Sequence, residues 1–177
     1  MSEKGLTHIY FGNGKGKTTA ALGLALRAAG FGVKVVIVQF LKDWQCGEIS
    51  SLGLLPNVTV LRGKSSGGVF VRDMSDDEKA ETKAIHDENL VMALELHAGG
   101  NCDLLVLDEA LDAYSLGLLD EKLFVGLMKN KPENLELVIT GHKPEGWMHD
   151  LADYVTEMIK HKHPYDIGIQ ARKGIEF

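Results

Sequence analysis

The chain has 177 residues, of which 45% are hydrophobic and 25% charged; this excludes a disordered protein and suits a single domain, residues 1–177, with a substantial core. A formal net charge of −6 excludes the broad basic surface that phosphate-backbone binding requires, so nucleic acid is not an expected partner. Cys46 and Cys102 match neither a disulfide framework nor a metal knuckle, no signal-peptide core opens the chain, and no apolar run reaches membrane-spanning length; a soluble, cytoplasmic protein is expected.

The first predicted strand, Thr7–Phe11, runs into Gly12-Asn13-Gly14-Lys15-Gly16-Lys17-Thr18-Thr19, and a helix is predicted over Lys17–Ala29. This order makes a phosphate cradle. Glycines let the backbone curl with its N–H groups inward, Lys17 supplies a mobile cation, and Thr18 offers a hydroxyl to a magnesium ion. The following helix adds its positive N-terminal end. Two lysines beside three glycines are a poor choice for a plain turn. The loop departs from the usual G-x-x-x-x-G-K-[ST], because Phe11 stands where the first glycine belongs; starting at Gly12 makes the loop one residue shorter.

Further strands are predicted at Val33–Phe40, Val58–Leu61, Leu104–Leu107, Leu135–Thr140 and Tyr154–Ile159, several of them apolar throughout, as strands buried on two sides should be. Alternation with helices predicts an α/β fold, a mostly parallel sheet with helices on both faces. Between the third strand and the next helix lies Arg62–Arg72, rich in glycine and serine. Its Phe70 marks either a substrate lid or an ordinary surface connection. The helix over Ser75–His97 opens with a capping-box spacing, Ser75 to Glu78, and Gly99-Gly100 stop it. Ile85, Met92 and Leu96, flanked by Ala84 and Val91, are its predicted core-facing stripe. A third helix is expected at Asp120–Lys129.

The strand Leu104–Leu107 ends in Asp108-Glu109. Ligands of such folds gather at the carboxyl ends of parallel strands, so an acid here can reach a magnesium ion held by Thr18. The pair could also cap a helix suggested by Leu111–Leu116, and Glu109 could instead polarise a water for ATP hydrolysis; spacing alone does not separate these roles. His161-Lys162-His163-Pro164 reads as a basic tract, solvated or at the substrate's edge, rather than a metal site, since Pro164 interrupts a regular strand. His8, His86 and His97 carry no partner spacing, whereas His142 and His149 flank a loop at a strand end.

Taken in order, Gly12–Ala21, Arg27-Ala28, Val38-Gln39-Phe40, Leu107-Asp108-Glu109, Ile139-Thr140-Gly141, Leu151–Met158, Lys162-His163-Pro164 and Gly174–Phe177 strongly resemble the ATP:corrinoid adenosyltransferases of the single-domain, phosphate-loop type. The similarity spans nearly the whole chain and includes the short loop. It implies a RecA-like P-loop fold, a homodimer, and a place in coenzyme B12 synthesis or salvage. The implied reaction transfers the 5′-deoxyadenosyl group of ATP to the reduced cobalt of a corrinoid, cob(I)alamin or cob(I)yrinic acid a,c-diamide, and releases triphosphate. A cobalt-reducing flavoprotein is an implied partner. The family holds ATP reversed relative to ordinary phosphate-loop hydrolases, which fits a loop of altered length.

By position, the resemblance assigns Gly12, Asn13, Gly14, Lys15, Gly16, Lys17, Thr18 and Thr19 to the triphosphate and Arg27 to the nucleotide. Thr18 and Glu109, with Asp108 nearby, would hold magnesium or manganese. Cobalt(I) is itself a nucleophile, so no side-chain nucleophile is needed; Lys15 and Lys17 would stabilise charge on the departing triphosphate. Phe70 and His142 are the candidates for corrinoid contact. The family's common Thr-Gly-Arg reads Thr140-Gly141-His142 here, a single phenylalanine stands in the loop after the third strand, and the N-terminal extension of some members is expected to be missing. A P-loop ATPase or an ATP-binding switch acting on a protein partner is the alternative reading.

Overall fold

A computed structural model describes residues 4–42, 47–63 and 73–176. Phe70 and Cys46 lie outside the described residues, as does most of the candidate lid. Six strands form one sheet: Thr7–Phe11 (β1), Val35–Gln39 (β2), Val58–Arg62 (β3), Leu104–Asp108 (β4), Glu136–Thr140 (β5) and Tyr154–Glu157 (β6). Their order is β3-β2-β4-β5-β1-β6, and every neighbouring pair is parallel. The helices are Lys17–Gly30 (α1), Gly47–Leu52 (α2), Asp76–Ala98 (α3), Ala110–Ser115 (α4), Glu121–Lys129 (α5) and Gly146–Leu151 (α6).

Residues alternate across the sheet, so each strand feeds two cores. On one face, Val36, Val38, Leu105, Leu107, Leu137 and Ile139 pack with Leu90 of α3, Leu111 of α4, Phe124 of α5 and Met148 of α6. On the other, Val35, Ile37, Leu104, Val106 and Val138 pack with Ala21, Leu22 and Ala25 of α1 and Leu52 of α2. Helices on both faces are therefore present as predicted, and the sheet is parallel throughout its pairs.

The short helices α2 and α6 were not legible: six residues carry too little periodicity to register. β6 is an edge strand with all four residues exposed, and it stops at Glu157 because Met158 turns onto the loop after β1.

The α3 stripe requires correction. Its buried residues are His86, Leu90 and Ala93, while Val91 and Met92 are 42% and 41% exposed. Leu96 does pack against the core and Ile85 is half-buried, so only Met92 and its flank were misplaced; the centre of the packing face is led by a polar residue, His86, whose ring nitrogens find partners inside. The capping box of Ser75 and Glu78 forms as expected.

Candidate functional site

The site lies at the carboxyl edge of the sheet, where β1, β2 and β4 end side by side with α1 and α4. The β1–α1 loop turns on its glycines, but the Gly12 and Gly14 amides are taken by main-chain carbonyls rather than left free for a ligand as expected. Gly12 has φ 112, and a Cβ there would collide with the Met158 carbonyl oxygen. A Cβ on Gly14 would lie 2.7 Å from the same oxygen. The Gly14 amide donates to Met158 O at 2.7 Å, and the Gly12 amide donates to His142 O at 3.0 Å. These two amides therefore brace the loop against the chain beyond β6 and beyond β5. The first-turn amides of Lys17, Thr18 and Thr19 have no acceptor within the helix, as at any helix start, and could serve as donors to an anion.

Lys17 Nζ donates to the carbonyls of Gly12 and Gly14 at 2.8 and 3.0 Å, which folds its ammonium under the loop with a third donor to spare. Lys15 lines the same pocket but is engaged elsewhere. Its Nζ pairs with Glu176 Oε1 at 3.1 Å, so the carboxyl-terminal segment lies over the loop. Glu176 is itself forked by Arg172, whose guanidinium holds the carboxyl low, at about 2. Asn13 Oδ1 accepts the Lys160 amide at 2.9 Å and ties the same segment down. A pocket of about 190 Å³ opens here, lined among others by Gly14, Lys17, Thr18, Gln39, Lys42 and Glu109.

Asp108 is fully buried and collects four donors. Oδ1 accepts from the hydroxyls of Thr18 and Thr140, each at 2.8 Å, and Oδ2 accepts from Gln39 Nε2 at 3.1 Å and Lys42 Nζ at 2.7 Å. The β2–β4 register sets Gln39 directly opposite Asp108. Because Thr18 gives its proton to Asp108, its oxygen is left as an acceptor, and Lys42 Nζ donates to it at 2.8 Å. Glu109 follows with left-handed backbone, φ 62, and its amide donates to Thr140 Oγ1 at 2.9 Å. Burial raises the Glu109 carboxyl above its ordinary range; Asp108 and Asp112 push the same way, against the opposing charge of Lys42.

An oxygen-only donor set of this kind fits a magnesium or manganese ion. Gln39 supports the fit: its Oε1 is buried without a hydrogen-bond partner among the described residues. Thr18 and Glu109 offer direct oxygens, while the donors already crowding Asp108 make it a support for them.

The remaining predicted residues fall around this centre. His142 is exposed at the end of β5, where its amide and Nδ1 reach Asp112 Oδ2 and Oδ1, each at 2.9 Å. It lines a separate open pocket of about 490 Å³ with Asp112, Ser115 and Pro144. Glu109 lines the first pocket, and its carboxylate lies within 4.8 Å of ligand atoms of both Asp112 and His142, which line the second. Arg27 is not brought to the phosphate pocket; it sits exposed in the last turn of α1, roughly 15 Å along the helix axis from Lys17. His163 accepts the Tyr165 amide at the start of a 3-10 turn, Pro164–Ile167, which is a structural task.

The sequence profile of the ATP:corrinoid adenosyltransferases BtuR/CobO/CobP matches residues 3–177. The chain belongs to this family. A corrinoid adenosyltransferase of Pseudomonas aeruginosa is 34% identical over 176 residues, covering 99% of this chain and 85% of that protein. The corrinoid adenosyltransferase of Escherichia coli K12 is 31% identical, and the corrinoid adenosyltransferase CobA of Salmonella typhimurium 32%, each covering 100% of this chain and 88% of its own. The family is one of transferases that act on ATP and corrinoids.

For this adenosyltransferase chain, sequence reasoning overlooked Lys42. Its ammonium touches Thr18 Oγ1 at 2.8 Å, Asp108 Oδ2 at 2.7 Å and Glu109 Oε1 at 3.3 Å. A usable signal existed: a lysine shortly beyond a buried apolar strand sits at the same sheet edge as the loop. Gln39 and Thr140 were detectable likewise, as polar residues closing otherwise apolar strands. Among the described residues the only cysteine, Cys102, is buried with its thiol pushed up to about 12, so it offers no nucleophile.

Proposed function

We propose that the protein transfers the 5′-deoxyadenosyl group of ATP to the cobalt(I) of a corrinoid, cob(I)alamin or cob(I)yrinic acid a,c-diamide, and releases triphosphate. The observation that carries this reading is a phosphate loop and an oxygen cluster sharing one sheet edge in a chain of this family. It acts as one domain, residues 1–177, in a cytoplasmic homodimer, with cobalt reduced by a separate flavoprotein. No helix among the described residues is long and apolar enough to cross a membrane.

In this reading Gly12–Thr19 hold the triphosphate, chiefly through the α1 first-turn amides and Lys17. Arg27 contacts the nucleotide away from its phosphates. Thr18 and Glu109 hold magnesium or manganese, with Asp108 fixing the Thr18 hydroxyl; the metal, when bound, offsets phosphate charge. The corrinoid approaches from the side of His142; Phe70, outside the described residues, is kept as a second contact.

The cobalt electron pair forms the bond to C5′, and the C5′–O5′ bond breaks with its pair leaving on triphosphate. Cobalt is thereby formally oxidised from (I) to (III), and no proton need move. The protein's task is alignment, where well-placed reactants gain about 7–11 kcal/mol, and stabilisation of the leaving group by Lys15 and Lys17.

The test is an anaerobic assay with cob(I)alamin, ATP and magnesium. A new cobalt–carbon absorption band together with inorganic triphosphate is expected. ADP and phosphate with unaltered cobalt would overturn the proposal in favour of an ATPase.

A further inference from the structure

We infer that Lys42 is a resident counter-ion at the divalent-cation position, exchanged for the metal when the metal–nucleotide complex binds. Three oxygens converge on its Nζ: Thr18 Oγ1, Asp108 Oδ2 and Glu109 Oε1. Two of these three belong to the residues read as metal ligands above, and the inference rests on that reading. The third is a fully buried carboxylate. Thr18 spends its proton on Asp108, so its oxygen serves Lys42 only as an acceptor, the role a metal would also ask of it.

The two cations exclude each other. Magnesium needs its oxygens at about 2.0–2.1 Å in near-octahedral array, which leaves no room for an ammonium nitrogen against the same Thr18 oxygen. Like charges a few ångström apart in a partly buried pocket also repel strongly. Lys42 is suited to give way. Its side chain is 14% exposed, and its four-carbon stem can swing while its backbone stays fixed.

The backbone is indeed held on both sides of that stem. Arg62 Nη2 donates to the Lys42 carbonyl at 3.3 Å, and Leu41, at φ 56, gives its amide to His86 Nε2. The pocket that would receive the phosphates is lined by Lys42 itself. Displacement therefore carries the ammonium from carboxylates to the incoming triphosphate. The device makes the protein poor at binding a bare divalent ion and competent to bind one that arrives with nucleotide, whose negative charge gives Lys42 a new partner.

The experiment titrates manganese alone, without nucleotide, into the full-length protein and follows the free ion by EPR. Lys42→Ala and Lys42→Gln are expected to bind Mn2+ about tenfold more tightly than the unsubstituted protein, the scale of removing one competing charge. Lys42→Arg, which keeps the charge, should bind as weakly as the original. Glu109→Gln added to either neutral variant should erase the gain. Lys42→Gln retains a donor for Asp108, so a folded neutral variant is available even if alanine unfolds; thermal melts identify which are folded.

Unchanged Mn2+ affinity in a folded neutral variant overturns the exchange. A gain that survives Glu109→Gln overturns the ligand assignment beneath it. Failure of adenosyl transfer is read separately, in the cobalt assay, and leaves these metal titrations to stand or fall by themselves.

Discussion

The imidazole of His86, buried on α3, accepts the amide proton of Leu41 at Nε2 across 3.3 Å, and its Nδ1 donates to Leu118 O at 2.8 Å. One neutral tautomer satisfies both bonds. The ring also stands edge-on to Phe40, with centroids 5.0 Å apart. A residue of the helical layer thus fixes the left-handed turn that launches Lys42 into the site. His86→Phe keeps the ring volume but strands the Leu41 amide and the Leu118 carbonyl. A loss of about 1–3 kcal/mol in urea unfolding is expected.

The same histidine sets a pH dependence. Burial lowers its pKa from the ordinary value of 6.5, against weaker opposing effects of the Leu118 carbonyl and Asp87. The unfolded chain therefore binds more protons as pH falls below 6.5, and stability present above that value is lost as pH drops toward the folded pKa. Urea midpoints measured at about pH 7.5 and about pH 5.5 should show this loss in the original protein and a smaller one in His86→Phe.

Lys17→Ala removes both the phosphate cation and the tether to Gly12 O and Gly14 O. Weaker ATP binding and a loss of about 10²–10³-fold or more in adenosyl transfer are expected. Isothermal titration with ATP and the anaerobic cobalt assay check this, and undiminished activity would remove the loop from the phosphate site.

Glu109→Gln should raise the magnesium concentration needed for half-maximal rate by about tenfold or more while leaving the fold intact. An unaltered metal requirement would take Glu109 out of the metal shell.

At Gly14 the constraint is steric. Alanine there meets the Met158 carbonyl oxygen, which is backbone and yields poorly, so Gly14→Ala should cost about 1–3 kcal/mol and weaken ATP binding together. A variant with native stability and ATP affinity would show that the loop is not braced against β6's extension.

The fold was legible where its determinants are local. Apolar runs marked all six strands, and Ser75 with Glu78 marked the start of α3. So was the loop, whose glycines, lysines and threonine are contiguous, and Asp108-Glu109 at a strand end. Arg27 was expected at the nucleotide, and the structure sets it apart from the phosphate pocket.

What escaped is what strand order creates. Lys42 meets Asp108 only because β2 lies between β3 and β4, and no spacing along the chain encodes that neighbourhood. His86 was passed over because a lone histidine on a helix shows no partner until Leu41 and Leu118 are brought to it. Gly12 and Gly14 were recognised, but the oxygen that demands them belongs to Met158, far along the chain.

Among the described residues, those beyond β6 add no side chain to either core cluster, yet Met158 and Lys160 grip the loop and Glu176 pairs with Lys15. The amino-terminal side enters at the opposite margin of the sheet, where Gly5 bonds to Glu133. Any affinity handle or surface tether fastened at the carboxyl end would hang from the mouth of the glycine-loop pocket, which Ile175 and Glu176 line, and tug on it, whereas one at the amino end would leave that mouth undisturbed.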